Sequence, residues 1–274
     1  MIHDYFGIKH TPFATDNISL LPQQQEAFNI ILTQCQMHGL TLLIGQPGTG
    51  KTIVKEALKT HDKKRIAVPV ISRTLHTYHS ILRILCEAFQ IDYEGNDHKC
   101  ERKLIEEAHR LNRAGKMLAP IIDDAQYLPI EALRKIRLLF EDFPKNHNLI
   151  LIAHPNLKNK LQLTINQDIH SRITWSGEML PLAPDNMKTF IHTQLDKVAM
   201  PHTAFDEQAL NLIIQSAEGI LRAARNLCIS TLIEAVRDQT KTVTLKQVNR
   251  VLKQPHWTRQ YDNTLPNTTK LQPQ

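Results

Sequence analysis

Short apolar runs alternate with helical patterns along the chain up to about residue 183. Apolar residues recur at three- and four-residue spacing in His76–Phe89 and Ile130–Phe143, which predicts amphipathic helices. The runs that predict strands are Thr41–Ile44, Ile66–Ile71, Met117–Ile122, Leu149–Ala153 and, more weakly, Met179–Leu182. Such alternation is typical of a parallel sheet covered by helices on both faces. We therefore predict an α/β fold with a parallel five-stranded sheet flanked by helices.

The pattern changes after residue 183, where only helical spacing is found. Thr244 and Gln247 form a capping-box pair that predicts a last short helix through Leu252. The sequence after it is rich in Pro, Asn, Thr and Gln and lacks apolar periodicity, which predicts disorder. We therefore divide the chain into an α/β domain (1–183), a small all-helical lid (184–253) and a disordered tail (254–274).

Composition narrows the classes of protein that fit this pattern. The chain has 274 residues, enough for a full core, and no apolar run approaches the roughly 20 residues that cross a bilayer. Its first residues do not resemble a signal peptide, and its four cysteines form no Cys-x-x-Cys pair. We expect a cytoplasmic protein with no membrane partner. The net charge of +6 fits either a nucleic-acid partner or an ordinary solvated surface.

One segment matches the phosphate-binding pattern G-x-x-x-x-G-K-[ST] in full. Its residues are Gly45, Gln46, Pro47, Gly48, Thr49, Gly50, Lys51 and Thr52. A predicted strand leads into it and a helical pattern leaves it, as this motif requires. The glycines allow backbone N–H groups to surround phosphate oxygens, and the helix N-terminus adds its positive dipole. Lys51 is expected to reach the β- and γ-phosphates of ATP, and the Thr52 hydroxyl to bind Mg²⁺.

Two acids end a later apolar run and predict the second half of an ATPase site. Asp123 is expected to hold Mg²⁺ through its water shell, and Asp124 to orient the attacking water. Pro120 removes a backbone donor from what should be an interior strand. Asp124 is also one methylene shorter than the glutamate usual at this position, so we expect slow hydrolysis. A turn or helix-cap role for both acids is the alternative.

Several further motifs resemble the AAA+ ATPases, and within them the ExeA/GspA-like branch. They are Tyr5-Phe6-Gly7-Ile8 with Thr11-Pro12-Phe13, Asp123-Asp124-Ala125-Gln126, Leu149–Leu157, and Gly219-Ile220-Leu221-Arg222 with Asn226-Leu227-Cys228. The resemblance covers roughly residues 3–253. It implies the AAA+ P-loop fold, with ATP and Mg²⁺ as cofactors.

The resemblance also implies roles for three residues outside the phosphate loop. His154 occupies the sensor-1 position, where a polar side chain contacts the γ-phosphate or the water; a histidine there is a departure and predicts pH sensitivity. Arg172 matches the arginine finger that such proteins insert into a neighbouring subunit. Arg222 matches sensor 2, an arginine from the lid. If Arg172 and Arg222 both have these roles, ATP hydrolysis should be stimulated by assembly of the subunits. Surface positions for the arginines and a strand cap for His154 are the alternatives.

Within this branch, the chain is most similar to short ATPases that accompany DDE transposases, of the TnsC/MuB/TniB type. That resemblance implies a regulator of DNA transposition that assembles on double-stranded DNA as a ring or helical filament. Its partners would then be DNA, a transposase and a targeting adaptor. DNA would be held through phosphates with little sequence preference. The candidate contacts, which could equally be a solvated basic face, are Arg73, Thr74, Lys99, Arg102 and Lys103.

Three other functions remain open at this point. One is an ExeA/GspA-like ATPase that acts on protein partners in a secretion or assembly system. Another is a replication-initiator or clamp-loader-like ATPase, although the residues after Leu252 are too few for a helix-turn-helix domain. The third is a binding module with an inactive nucleotide site, because Asp124 and His154 both depart from the usual residues.

Overall fold

The computed structural model describes residues 2–14, 19–71, 77–93 and 95–257. The chain divides into two compact units. The α/β unit comprises the described residues of 14–183 together with 219–222. The helical unit comprises those of 1–13, of 184–218 and from 223 onward. The sequence-based division instead assigns residues 1–13 to the α/β domain, and most of its disordered tail lies outside the described residues.

The α/β unit is built on a parallel sheet. In chain order, the strands are β1 (Gly39–Gly45), β2 (Ile66–Ala67), β3 (Val70–Ile71), β4 (Met117–Leu118), β5 (Ile121–Ile122), β6 (Asn148–Ala153) and β7 (Ile173–Met179). Within the described residues, five strands form the main sheet in the order β3-β5-β6-β1-β7, and all neighbours are parallel. β2 and β4 form a separate parallel pair. The predicted fold class is confirmed.

Helices alternate with these strands and then continue without them. In chain order, they are α1 (Ile2–Phe6), α2 (Pro22–Cys35), α3 (Lys51–Thr60), α4 (Tyr78–Ala88), α5 (Asp97–Arg113), α6 (Ile130–Glu141), α7 (Asn156–Leu161), α8 (Gln167–His170), α9 (Pro184–Asp196), α10 (Glu207–Ala217), α11 (Leu221–Arg237) and α12 (Leu245–Leu252). Short 3₁₀ turns lie at Ala125–Tyr127, Thr164–Asn166 and His202–Ala204.

Two prolines divide strands that the sequence predicts as continuous. The prediction of single strands over Ile66–Ile71 and Met117–Ile122 is wrong, because each run gives two short strands. Pro69 separates β2 from β3, and Pro120 separates β4 from β5. Proline has no N–H to donate to the ladder. The Pro120 carbonyl still accepts a hydrogen bond from the Ile150 N–H at 2.9 Å, so β5 keeps its place beside β6.

The last strand lies earlier than predicted. β7 ends at Met179, where the sequence-predicted strand begins. It is an outer strand of the main sheet, with the exposed side chains of Thr174, Ser176 and Glu178 alternating with half-buried ones such as Trp175. Such a strand has no continuous apolar run, and the run-based reading therefore missed it.

The core of the α/β unit lies on both faces of the main sheet. Leu42 and Ile44 of β1 point to one face, which α4, α5 and α6 cover, and Leu43 points to the other, which α2 and α3 cover. All three side chains are almost fully buried. This two-sided burial explains why β1 and β6 appear in the sequence as continuous apolar runs. It also fixes the ends of both strands, from which the site residues project.

The helical unit is held together by buried polar contacts as well as apolar packing. The Glu234 carboxylate of α11 is buried and accepts from Arg250 of α12 at 2.8 Å. At the start of α12, Gln247 Oε1 accepts from the Thr244 N–H at 2.9 Å, which is the predicted capping contact. The Lys241 ammonium lies 4.0 Å from the centre of the Tyr5 ring, a cation–π contact that joins α1 to this unit.

None of the helices in the described part of the chain combines the length and the apolar character that crossing a membrane requires.

Candidate nucleotide-binding site

The phosphate loop connects β1 directly to α3. Gly48 and Gly50 have φ angles of +88° and +103°, in the left-handed region that favours glycine. Gly50 is the N-cap of α3, so the first N–H groups of that helix have no partner within it and are available to an anion. The local sequence therefore builds the backbone cradle that the motif predicts.

The cradle is too tight for side chains at its glycines. A Cβ on Gly45 would lie 2.8 Å from the Thr49 hydroxyl and from the Met179 carbonyl. A Cβ on Gly48 would lie 2.8 Å from Cβ of Arg222. Since real Cβ atoms do not approach other atoms this closely, the backbone path depends on glycine at both positions. Thr49 closes the loop by donating its hydroxyl to the Gln46 carbonyl at 2.9 Å.

Lys51 lies at the base of the loop. Its Nζ donates to the carbonyls of Gly45 at 2.7 Å and Gln46 at 2.9 Å. Burial lowers the pKa of the Lys51 ammonium, whereas the charges of Asp123 and Asp124 act to raise it. Thr52, the next residue of α3, has an exposed side chain.

The two acids follow β5 directly. The Asp123 backbone N–H donates to Ile71 of β3 at 3.0 Å, which fixes the end of the strand. Oδ1 of Asp123 accepts from the Asp124 N–H at 3.0 Å, and Oδ2 accepts from Lys55 Nζ at 2.7 Å. Asp124 is exposed and has a φ of +54°, an unusual conformation for a residue other than glycine.

Gln126 joins the second acid to the next strand. Its side-chain Nε2 donates to Oδ1 of Asp124 at 3.1 Å, and its Oε1 accepts from the His154 N–H at 3.0 Å. His154 is half-buried at the end of β6, and its Nδ1 accepts from the Asn156 N–H at 3.4 Å. Gln126 belongs to the motif Asp123–Gln126, but the motif predicts no role for it. Lys55 lies outside the predicted site residues.

The residues present fit a magnesium–triphosphate group. The backbone N–H groups of a glycine-rich loop can donate hydrogen bonds to phosphate oxygens, and the nearby Lys51 ammonium can compensate the negative charge of the phosphates. A threonine hydroxyl and carboxylates are the oxygen ligands that Mg²⁺ prefers. Thr52 and Asp123 would hold the ion.

Arg222 lies beside the phosphate loop. Its backbone N–H donates to the Gly48 carbonyl at 3.2 Å, and its charge acts to lower the pKa of Lys51. Gly219, three residues earlier, has a φ of +76°. Its carbonyl accepts a hydrogen bond from the Leu182 N–H at 2.9 Å. The segment 219–222 is therefore placed by contacts of the α/β unit.

Arg172 is not part of this cluster. It comes directly before β7, whose first residue, Ile173, pairs with Leu40 at the start of β1. The phosphate loop follows the opposite end of β1, roughly 20 Å away at about 3.3 Å per residue. The Arg172 side chain is 61% exposed, and its guanidinium lies 3.3 Å from Glu141. It cannot reach the phosphate loop of its own chain.

The candidate DNA contacts belong to other segments of the chain than the residues of the cluster. Arg73 and Thr74 lie outside the described residues. Lys99, Arg102 and Lys103 are on the first turns of α5. Arg102 lies 3.8 Å from Glu106, and neither lysine is without a partner. Acidic residues on α5 therefore offset part of this basic face.

Comparison with known proteins agrees with this geometry. A family model described as an AAA domain matches residues 35–161. General secretion pathway protein A of Aeromonas hydrophila is 26% identical over 245 residues, which is 86% of this chain and 45% of that protein. The chain therefore spans less than half the length of this curated relative.

Several solved structures share this fold. The ORC2 protein of Aeropyrum pernix, in ADPNP–ADP complexes, has a TM-score of 0.68 at 15% identity and covers 89% of this chain and 71% of its own. Cdc6p of Pyrobaculum aerophilum has the same TM-score at 16% identity, with 86% and 68% covered. The RuvB Holliday junction branch migration motor of Thermotoga maritima gives 0.54 at 15% identity, with 88% and 71% covered. At these identities the likeness shows the fold alone.

The strand order β3-β5-β6-β1-β7, the phosphate loop after β1 and the family match together lead to one conclusion. The chain has the AAA+ P-loop fold, and residues 35–161 match the model of an AAA domain.

Proposed function

We propose that this protein is a magnesium-dependent ATPase that works as an assembling switch. One observation carries the proposal: the glycine-lined loop that holds the Lys51 ammonium follows β1, the two acids follow β5, and α3 joins them because its Lys55 lies 2.7 Å from Asp123. In open α/β sheets, ligands bind at the carboxyl ends of the strands.

Each residue of the cluster has a defined task in this proposal. Lys51 and the loop N–H groups would bind the phosphates, and Thr52 and Asp123 would hold Mg²⁺, which would stabilise phosphate charge. Asp124 orients a water molecule and accepts its proton. Gln126 holds Asp124 through the 3.1 Å hydrogen bond and thereby keeps the short carboxylate in place. Because aspartate reaches less far than glutamate, turnover is slow.

Arg172 completes the site of a neighbouring copy. Its position at the amino end of β7 excludes the site of its own chain, and its exposed guanidinium is free to leave Glu141, since an exposed ion pair contributes little stability. An arginine that stabilises transition-state charge from another subunit couples hydrolysis to assembly. The active form in this proposal is an oligomer, a ring or a helical filament.

Mixing two inactive variants tests the trans arrangement. Lys51→Ala protein retains Arg172, and Arg172→Ala protein retains an intact phosphate loop. If the arginine acts in trans, the mixture hydrolyses ATP faster than either variant alone, because mixed assemblies contain complete sites. Phosphate release is measured at several mixing ratios. A mixture no more active than the sum of its parts would show that Arg172 does not complete a neighbour's site.

For the output of the switch, we propose regulation of DNA transposition: assembly on double-stranded DNA and recruitment of a DDE transposase, with a targeting adaptor as a further partner. The support is the resemblance to short transposition ATPases, the net charge of +6 and the external position of Arg172. The acidic partners on α5 weaken one part of this support, the basic face of Lys99, Arg102 and Lys103.

A second candidate output is action on protein partners in a secretion or assembly system. The observation that favours it is the 26% identity with General secretion pathway protein A over most of this chain. Because this chain spans only 45% of that relative, the match alone does not assign the relative's partners to this protein.

Electron microscopy separates the two outputs. The protein is imaged with a non-hydrolysable ATP analogue, with and without random-sequence double-stranded DNA. Rings or filaments that require both ligands support the DNA-directed function, and DNA-stimulated ATPase activity that falls steeply with salt supports it further. Oligomers and ATPase activity that are indifferent to DNA would instead support the protein-directed function.

A further inference from the structure

Lys55 is a buried lysine one helical turn beyond Lys51 on α3. Its side chain is 9% exposed, and its Nζ lies 2.7 Å from Oδ2 of Asp123. Glu56 is more distant, at 3.8 Å, and more exposed. An ammonium group in the interior is unfavourable unless a counter-charge accompanies it. Lys55 therefore depends mainly on Asp123 for its compensation.

The neighbours of Lys55 make a charged residue at this position unexpected. Val54, Ala57 and Leu58 of the same helix are buried in the apolar core on this face of the sheet. Packing alone would be satisfied by an apolar side chain of similar length, and a buried ion pair is in general no more stabilising than such a residue. The lysine is thus better explained by what it does to Asp123 than by its contribution to the core.

Each oxygen of the Asp123 carboxylate already has one donor from the protein. Oδ1 accepts from the Asp124 N–H and Oδ2 from Lys55, so two donors orient the group. Its negative charge is compensated at the same time. Asp123 can therefore keep its position at the end of β5 with no metal ion nearby.

We propose that Lys55 is a positioning residue that acts as the counter-charge of Asp123 before magnesium binds and competes with Mg²⁺ for this carboxylate afterwards. The proposal rests on the proposed function, in which Asp123 helps to hold Mg²⁺. A fixed positive charge beside the metal site lowers its affinity for a divalent cation. Nucleotide binding consequently depends less on magnesium than in a variant without this charge.

The first test concerns the ion pair alone and uses the full chain without nucleotide in EDTA. Lys55→Met leaves Asp123 partly buried without its partner, and we expect the melting temperature to fall by about 5–10 °C. The double variant Lys55→Met/Asp123→Asn removes both charges and recovers most of this loss. Lys59→Met, which removes an exposed lysine of the same helix, shifts the melting temperature by no more than about 2 °C.

The second test measures the dependence of nucleotide binding on magnesium. The dissociation constant of a fluorescent ATP analogue is determined in EDTA and in Mg²⁺, and the ratio of the two is compared between proteins. For Lys55→Met we expect a ratio about three- to tenfold larger than for the wild type, because the competing charge is gone. Lys55→Arg keeps the charge and should keep the wild-type ratio.

The outcomes separate this proposal from the proposed function. A Lys55→Met protein that melts like the wild type, a double variant as unstable as the single one, or an unchanged magnesium ratio overturns the role of Lys55. A wild type that binds no ATP analogue would overturn the proposed function and with it the competition with Mg²⁺. The melting test in EDTA would still decide whether Lys55 is the counter-charge of Asp123.

Discussion

The phosphate loop and the acidic end of β5 form the two halves of one site, and they are built differently. The loop is local: its glycine conformations, its Thr49 closure and the Lys51 contacts all arise within residues 45–52. The acidic half also needs distant segments, since Asp123 is held by Lys55 of α3, and Gln126, which holds Asp124, accepts from the His154 N–H after β6. A contiguous motif therefore specifies the first half, whereas the second depends on packing between elements.

The largest expected effect tests the local half. Lys51→Ala removes the ammonium group at the base of the loop, and we expect ATPase activity to fall at least about 100-fold because phosphate charge is no longer compensated. Phosphate release and binding of a fluorescent ATP analogue measure the loss. Lys59→Ala, an exposed lysine on the same helix, serves as the control and should retain activity. Near-normal hydrolysis by Lys51→Ala would refute the nucleotide site altogether.

A loss of similar size that spares binding is expected at the external arginine. Arg172→Ala should reduce assembly-stimulated hydrolysis by up to about 10³-fold, the effect of removing an arginine that neutralises transition-state charge. Binding of the ATP analogue should change less than about twofold. Glu141→Gln removes the partner of Arg172 within the chain and is expected to leave hydrolysis intact. Loss of ATP binding in Arg172→Ala would mean that the residue acts within one subunit.

Smaller effects are expected in the acidic half. Asp124→Glu adds the missing methylene and should leave turnover unchanged or raise it by up to about tenfold, measured as kcat. Gln126→Ala frees the Asp124 carboxylate and should lower kcat about tenfold while KM for ATP stays the same. Gln126→Asn offers the same amide at shorter reach and serves as a matched comparison. A hundredfold loss in Asp124→Glu would show that the site is built around the shorter acid.

The smallest expected effect is a pH dependence of stability that arises at His147, directly before β6. His147 is buried before this strand, and its Nδ1 donates to the Pro144 carbonyl at 2.7 Å. Burial lowers the pKa of His147 to about 4, and the charge of His38 acts in the same direction. Between about pH 6.5 and pH 4 the unfolded chain binds this proton and the folded chain does not, so the free energy of unfolding decreases as pH falls through that window.

Urea unfolding at several pH values measures this dependence. His147→Phe should show a shallower loss of stability between about pH 6.5 and pH 4, whatever its stability near pH 7.5, where both proteins carry neutral side chains at this position. An equally steep loss in His147→Phe would assign the acid sensitivity to other groups.

Strands could be predicted from the sequence where their apolar runs were continuous. The apolar runs of β1 and β6 predicted buried parallel strands because helices cover both of their faces. The same reasoning failed for β7, an outer strand whose polar residues interrupt the run. It also failed at Pro69 and Pro120, where each proline breaks a ladder without interrupting the apolar pattern.

Within the site, the sequence predicted residue types better than it predicted partners. The loop glycines and Lys51 follow β1 and the two acids follow β5, and their roles in binding and hydrolysing ATP stay predictions. Lys55 could have been noticed as a single charge among buried helix positions, since Val54, Ala57 and Leu58 surround it in the sequence. The link from Gln126 to Asp124 and His154 carries no sequence signal, because it depends on how a 3₁₀ turn packs against β6.

The two outer strands of the main sheet differ in their capacity for aggregation. Among the described residues, β3 offers an edge of only two residues and follows Pro69, which has no N–H to share, so it is a poor template for an added strand. β7 is seven residues long and presents the longer edge. If partly unfolded copies associate through their sheets, we expect the contact to form along β7. The charge of the exposed Glu178 side chain is the main feature of this strand that opposes such pairing.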